Sequence, residues 1–224
     1  MSIKSEIQGF DISTKSVAVI GCGGLGSNVC VHLAGAGIGK LFICDFDTVS
    51  ESNLNRQFVY RRTDIGRKKT DAMHDFLCAY AEDCEITAVD RKITDCESLD
   101  FAKNCNIIIL AVDNAEVRKT VNDFCQANSI PLVNGGINGF FGTCYLYIPN
   151  LTPCLECAGC IINSAKTKSV SSSAGVIGSV SASLAERYLT GDTSLAGKLI
   201  IYDNEELTQM TVKPSPLCHC VDRR

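Results

Sequence analysis

The chain has 224 residues, 46% of them hydrophobic, with 21 Lys+Arg against 25 Asp+Glu for a formal net charge of −4. That length and hydrophobic share support one substantial core, and the acidic balance leaves no basic footprint for nucleic acid or an anionic membrane. No apolar run reaches membrane-spanning length and Met1-Ser-Ile-Lys-Ser-Glu-Ile-Gln-Gly9 lacks the apolar centre of a signal peptide, so a cytoplasmic location is expected.

Ser16-Val-Ala-Val-Ile20 is short, β-branched and apolar, as a buried parallel strand should be, and Ser27 to Ala36 has the spacing of a helix. Between them Gly21-Cys-Gly-Gly-Leu-Gly26 makes a tight turn. Gly21 lets the chain leave the strand with unusual dihedrals. Gly23 and Gly24 let the backbone approach a phosphate, and Gly26 lets the helix pack closely on the strand. The free N–H groups and dipole at the helix start favour an anion. The next strand, Lys40-Leu-Phe-Ile-Cys44, ends in Asp45, about where a ribose-binding carboxylate falls, roughly 20 residues beyond the glycines. A glycine fingerprint alone serves NAD, FAD and ATP alike.

Asp45-Phe-Asp-Thr-Val-Ser-Glu-Ser-Asn-Leu-Asn-Arg-Gln57 narrows the choice. It delivers an amide, an arginine and a glutamine just beyond the strand's C-terminal edge, where open α/β sheets bind ligands. Hydride transfer has little use for Arg56 there. A triphosphate has a direct use for it, because a guanidinium grips phosphate oxygens with two parallel donors. Lys69, in Gly66-Arg-Lys-Lys-Thr70, adds a second positive charge. The competing reading is that Arg56, Lys68 and Lys69 are ordinary solvated surface charges.

Helix is predicted from Lys68 to Glu82, strand from Glu85 to Asp90, and strand from Asn106 to Val112, which places Asp113 at a strand end. A helix over Ala115 to Asn128 precedes strands at Leu132-Val-Asn134 and Gly142 to Ile148. Residues 158–173 are polar and serine-rich and read as a mobile crossing loop. Ala174 to Leu189 returns as a small-residue helix, and Leu199-Ile-Ile-Tyr202 with Leu207 to Val212 reads as a closing hairpin. The expected fold class is α/β: a Rossmann-like, doubly wound, largely parallel sheet with antiparallel C-terminal strands. It forms one domain over residues 1–224, with a nucleotide-binding half at 1–130 and a second half at 131–224.

Fourteen cysteines in a chain of this size without an export signal read as reduced thiols. Cys30, Cys44, Cys78, Cys105 and Cys125 fall within predicted helices or strands, where cysteine behaves as a small hydrophobe. Cys154-Leu-Glu-Cys157-Ala-Gly-Cys160 and Cys218-His-Cys220 instead concentrate thiols in two short stretches, which points to Zn²⁺. A Cys-x-x-Cys turn gives two thiolates to one face of a tetrahedral ion and a distant pair closes the shell. The proposed ligands are Cys154, Cys157, Cys218 and Cys220, with His219 or Cys160 as substitutes. Such a closed site would pin the chain end to the sheet rather than catalyse; unmetallated thiols are the alternative.

Taken together, Gly21-Cys-Gly-Gly-Leu-Gly26, Asp45-Phe-Asp47, Asn53-Leu-Asn-Arg-Gln57, Gly66 with Lys69, and Ala111-Val-Asp-Asn114 followed by Arg118 resemble the ThiF/MoeB/HesA adenylyltransferase family, which includes the ubiquitin-activating enzymes. The likeness continues through Gly135-Gly-Ile-Asn-Gly139, the first cysteine pair and Ala174-Gly-Val-Ile-Gly178, and so covers nearly the whole chain. It implies attack by a C-terminal glycine carboxylate of a ubiquitin-like or sulfur-carrier protein on the α-phosphate of ATP. It also implies a carrier-binding role for the half at 131–224, and a homodimer or a heterodimer with a family member. The nucleotide contacts it implies are Gly21, Gly23, Gly24, Gly26, Asp45, Asp47, Asn53, Arg56, Lys69, Asp113 and Asn114. Asp45 binds the ribose, Asn53, Arg56 and Lys69 hold the phosphates, and Asp113 ligates Mg²⁺; Arg56, Lys69 and Asp113 are the catalytic set. A helix N-cap is the competing role for Asp113, and a solvated position for Arg118.

Three departures from the family pattern stand out. Ser171 occupies about the position of the cysteine that members forming a thioester or persulfide carry, so the reaction is expected to stop at the adenylate, with Cys160 as the alternative thiol. Residues 1–15 contain no arginine, whereas many dimeric relatives reach a partner's site with one. The family's usual Cys-Pro-x-Cys closure is replaced by Ser215-Pro-Leu-Cys218 with Cys220 beyond it. Two other readings follow: a non-catalytic subunit that binds a carrier or completes an active partner, and an NAD-dependent oxidoreductase. The oxidoreductase has no evident proton donor, since the histidines are His32, His74 and His219 and the first two lie on predicted helices.

Overall fold

A computed structural model describes residues 9–162, 170–218 and 220. Eight strands form one mixed sheet in the order β3-β2-β1-β4-β5-β6-β7-β8. β1 (Ser16–Ile20), β2 (Lys40–Asp45), β3 (Glu85–Asp90), β4 (Ile107–Leu110) and β5 (Leu132–Asn138) are parallel. β6 (Phe141–Tyr147), β7 (Lys198–Tyr202) and β8 (Leu207–Thr211) follow antiparallel. The doubly wound sheet with antiparallel C-terminal strands is therefore present.

Alternation along the central strands builds two cores. Val17, Val19, Ile107 and Ile109 face one side with residues of α1 (Gly24–Gly35), α2 (Lys69–Tyr80) and α4 (Ser171–Leu189). Ala18, Ile20, Ile108 and Leu110 face the other, where Val121, Phe124 and Cys125 of α3 (Ala115–Asn128) pack together with the cysteine segments. β1 and β4 are all but sealed on both faces, which is why their sequences are continuous apolar runs. β2 lies on one side of β1 and β4 on the other, so chain direction across the sheet reverses there and opens a crevice at the strands' C-terminal ends.

Boundaries differ from expectation in places. α1 begins at Gly24 rather than Ser27, because Gly23 serves as its N-cap and the glycine turn winds directly into helix. α2 runs Lys69–Tyr80, with Lys68 as its N-cap. α4 begins at Ser171, three residues before the expected start, which shortens the crossing stretch to end at Val170. The mobility expected there falls mainly on residues 163–169, outside the described residues. Cys105 lies in a turn before β4 rather than in the strand, yet is buried all the same.

Candidate active site and thiolate centre

The crevice at the β1/β4 switch holds a cavity of about 430 Å³ lined by the glycine turn, the ends of β2 and β4, and Asn53, Arg56 and Gln57. Gly21 has φ +100°, and a Cβ there would stand 2.6 Å from the Ala111 carbonyl oxygen. Gly26 is tighter still: its Cβ would lie 1.8 Å from the Gly21 oxygen. Both positions require glycine, one for its dihedral and one for close approach.

Backbone hydrogen bonds set the turn against β2. Gly21 N donates to Cys44 O at 2.8 Å and Cys22 N to Asp45 Oδ2 at 2.7 Å. Asp45 Oδ1 accepts from Asp47 N at 2.9 Å, so the carboxylate is oriented by two amides and each oxygen keeps a lone pair for a hydroxyl donor. Tyr60, buried, donates its hydroxyl to Cys22 O at 2.7 Å and so braces the glycine turn from the far side.

The basic residues separate by burial. Lys69 is 6% exposed, and its Nζ pairs with Asp47 Oδ2 at 3.0 Å. It is therefore not a solvated charge, and Asp47, expected on the nucleotide, lines the cavity paired with Lys69. Lys68 does lie at the surface, 3.2 Å from Asp90. Arg56 Nη1 donates to Ser52 O at 3.0 Å and to Asn55 Oδ1 at 2.8 Å, which fixes one end of the guanidinium beside the glycine turn. Asn53 Oδ1 accepts from Ser50 N, leaving its amide hydrogens as the groups it can offer a ligand.

Asp113 stands at the cavity wall, exposed. The helix-cap role belongs to its neighbour: Asn114 Oδ1 accepts from Val117 N at 3.0 Å. Arg118 is buried rather than solvated, and its guanidinium donates to the carbonyls of Val112 and Cys160. β4 ends at Leu110 rather than at Val112, so Asp113 lies three residues beyond the strand; an exposed carboxylate there suits Mg²⁺, a hard cation that favours one or two carboxylates plus phosphate oxygens.

Several lining residues were not anticipated. Phe46, Arg91, Lys92 and Ile93 form the wall beyond Asp45, with Lys92 Nζ 5.6 Å from the Phe46 ring centre. Their convergence depends on β3 lying parallel to β2, which brings residues 91–93 beside residue 46. Gln57 is 3% exposed and lines the same cavity. Its Oε1 has no hydrogen-bond partner among the described residues. Its motif position was visible in sequence, its burial was not.

On the α3 face, Cys154, Cys157, Cys218 and Cys220 converge with their sulfurs all within 4.8 Å of one another. Adjacent pairs are 3.9 Å (Cys154–Cys157), 3.7 Å (Cys154–Cys218) and 3.7 Å (Cys157–Cys220) apart. A regular tetrahedron with zinc–sulfur bonds of about 2.3 Å has edges of about 3.8 Å, so this donor set fits Zn²⁺ in both chemistry and spacing. The distances exclude disulfides. Backbone amides of Cys154 and Ser215 donate to Cys220 Sγ and Cys157 Sγ, each at 3.3 Å. Cys160 stands outside this set: it is buried, and desolvation pushes its thiol up to about 11 with Arg118 opposing. His219 lies outside the described residues.

Comparison with known proteins places this geometry in context. The SAMP-activating enzyme E1 of Haloferax volcanii is 30% identical over 223 residues, covering 95% of this chain and 82% of the relative. The adenylyltransferase and sulfurtransferase MOCS3 of Dictyostelium discoideum is 33% identical over 213 residues, 90% of this chain and 50% of its own length. The Nedd8-activating enzyme E1 catalytic subunit of Drosophila melanogaster is 33% identical over 154 residues, 63% of this chain and 34% of its own. The chain thus spans a third to a half of the length of several relatives. In fold it matches the crystal structure of E. coli MccB with ATP, at TM-score 0.85 and 23% identity over 94% of this chain and 67% of that one. No helix among the described residues is long and apolar enough to cross a membrane. With the ThiF family model matching residues 6–220, the chain belongs to the ThiF family.

Proposed function

We propose that this protein activates the C-terminal glycine carboxylate of a ubiquitin-like or sulfur-carrier protein by transferring AMP to it from ATP, in the cytoplasm, and stops at the acyl-adenylate. The observation that carries the reading is the convergence of the glycine turn, Asp45, Arg56, Lys69 and Asp113 on one cavity at the sheet's switch point. A nicotinamide reading has no use for that cation pair, and family membership sets it aside.

The chemistry needs no protein nucleophile. A carboxylate oxygen of the carrier attacks the α-phosphorus, the bond to the β-phosphate bridging oxygen breaks, and pyrophosphate leaves with that electron pair. Catalysis is alignment and charge stabilisation. Asp45 takes the ribose hydroxyls, Asn53 and the glycine-turn amides take phosphate oxygens, and Arg56 offers its guanidinium to the triphosphate. Lys69 exchanges its Asp47 contact for phosphate. Asp113, with Asn114 beside it, would hold Mg²⁺, which when bound neutralises phosphate charge.

The Cys154, Cys157, Cys218 and Cys220 centre would hold Zn²⁺ as a structural ion, and residues 131–224 would meet the carrier. The stop at the adenylate is supported by Ser171, which sits in the first turn of α4 where a covalent relay needs a thiol, and by the burial of Cys160. ATP–pyrophosphate exchange with a panel of carriers ending in Gly-Gly tests the proposal. Exchange that depends on carrier supports it; ATP binding without exchange for any carrier favours the subunit that completes a partner.

A further inference from the structure

Helix α3 carries a polar ladder that joins the cavity to the thiolate centre. Asn114, Arg118 and Asn122 recur every four residues, a spacing that stacks side chains along one helix face. Arg118 and Asn122 are 9% and 6% exposed. Asn122 Oδ1 accepts from Leu155 N at 3.0 Å. Arg118 Nη1 donates to Cys160 O at 3.1 Å. Leu155 and Cys160 bracket Cys157 and close on each other, Cys160 N to Leu155 O at 2.9 Å. The two buried polar side chains therefore grip both ends of the segment that carries Cys157.

The same guanidinium reaches the cavity. Arg118 Nε and Nη2 donate to Val112 O at 3.2 and 2.7 Å, and Nη2 also approaches Gly135 O at 3.5 Å. Val112 is the residue before Asp113. Burying a guanidinium costs free energy that an apolar side chain would avoid, but only a planar fork with five donors holds carbonyls from three segments in fixed relation.

We propose that Arg118 is a positioning residue that couples metal occupancy of the Cys154/Cys157/Cys218/Cys220 centre to the placement of Asp113, and so to the affinity of the cavity for Mg²⁺·ATP. This rests on the role given above to Asp113. An ion on the four sulfurs fixes residues 154–160; without it the Cys160 carbonyl is released, and the guanidinium that also holds Val112 loses one of its anchors. Linkage makes the effect reciprocal, so Mg²⁺·ATP tightens zinc binding by the same factor.

Calorimetric titration of Mg²⁺·ATP into the full chain, zinc-loaded and after stripping with 1,10-phenanthroline, tests the coupling without any carrier. Zinc content is measured directly and folding by far-UV circular dichroism. The wild type is expected to lose about tenfold in affinity on stripping. Arg118→Met is expected to bind more weakly, and equally in both metal states. Should Arg118→Met fail to fold, Arg118→Lys keeps the charge but not the fork, and is expected to show less than half the wild-type coupling on a logarithmic scale. Equal affinity of loaded and stripped wild type, or full coupling in a folded Arg118 variant, overturns the inference and leaves the adenylation reading standing. A loaded wild type that binds no Mg²⁺·ATP overturns both.

Discussion

Lys69 and Asp47 face each other at 3.0 Å on the cavity wall, with the lysine side chain 8% exposed and the aspartate 51%. The ammonium is thus held almost dry by a half-exposed partner, and on the proposed reading an arriving phosphate takes that partner's place. Lys69→Met is expected to lower the exchange rate by about 100-fold, the range seen when one stabiliser of developing charge is removed, with the melting temperature nearly unchanged. Asp47→Asn is expected to cost only about 1 kcal/mol of stability, because the aspartate is itself half-exposed and its end of the pair is solvent-screened. Steady-state exchange kinetics and thermal melts check both.

Tyr60 braces the glycine turn through the Cys22 carbonyl. Tyr60→Phe keeps the ring but leaves a buried acceptor unpaired, at a cost of about 1–3 kcal/mol. KM for ATP is expected to rise several-fold with kcat largely kept, since the turn contributes to ground-state and transition-state binding alike. Equal losses in kcat and kcat/KM would contradict the bracing role.

The four-thiolate assignment separates Cys160 from its neighbours. Cys154→Ser and Cys220→Ser are expected to abolish stoichiometric zinc, measured by plasma emission, and to lower the melting temperature. Cys160→Ser is expected to retain the metal. Zinc loss in the Cys160 variant would return that residue to the ligand set.

Buried thiols give the chain an alkaline stability limit. Burial pushes Cys84 and Cys105 up to about 11 and Cys44 and Cys144 up to about 12. A folded-state value raised above the unfolded one stabilises the fold fully below the unfolded value, near 9, and that stability is lost as pH rises toward the folded value. Thermal melts are therefore expected to be flat from pH 7 to about 8.5 and to fall steeply from about 9 to 11. At pH 8 iodoacetamide should reach the exposed Cys78 and Cys96 ahead of these four.

Much of this architecture is legible in residue pattern. β3 at Glu85–Asp90 and α3 at Ala115–Asn128 stand where alternation and helical spacing place them, and the glycine turn announces the switch-point crevice. What pattern leaves open is tertiary. Local propensity does not start a helix at Gly24, where the turn's own hydrogen bonding does. Arg118 stands out in sequence as a motif position with a solvated site as the competing role, and only the fold shows the carbonyls of Val112, Gly135 and Cys160 around it. Phe46 and Lys92 meet only because β2 and β3 are neighbours. The four thiols are chosen from their two clusters in sequence with Cys160 as a substitute, and their positions in space bring that set together and leave Cys160 outside it.

The central claim is that this cavity transfers AMP to a carrier carboxylate. The most direct test is ATP–[³²P]pyrophosphate exchange by the full chain with Mg²⁺ and Gly-Gly-ending carriers, beside Arg56→Ala and Asp113→Ala. The account predicts carrier-dependent exchange that falls by at least about 100-fold in each variant while both stay folded. Exchange that persists unchanged in both folded variants would contradict it.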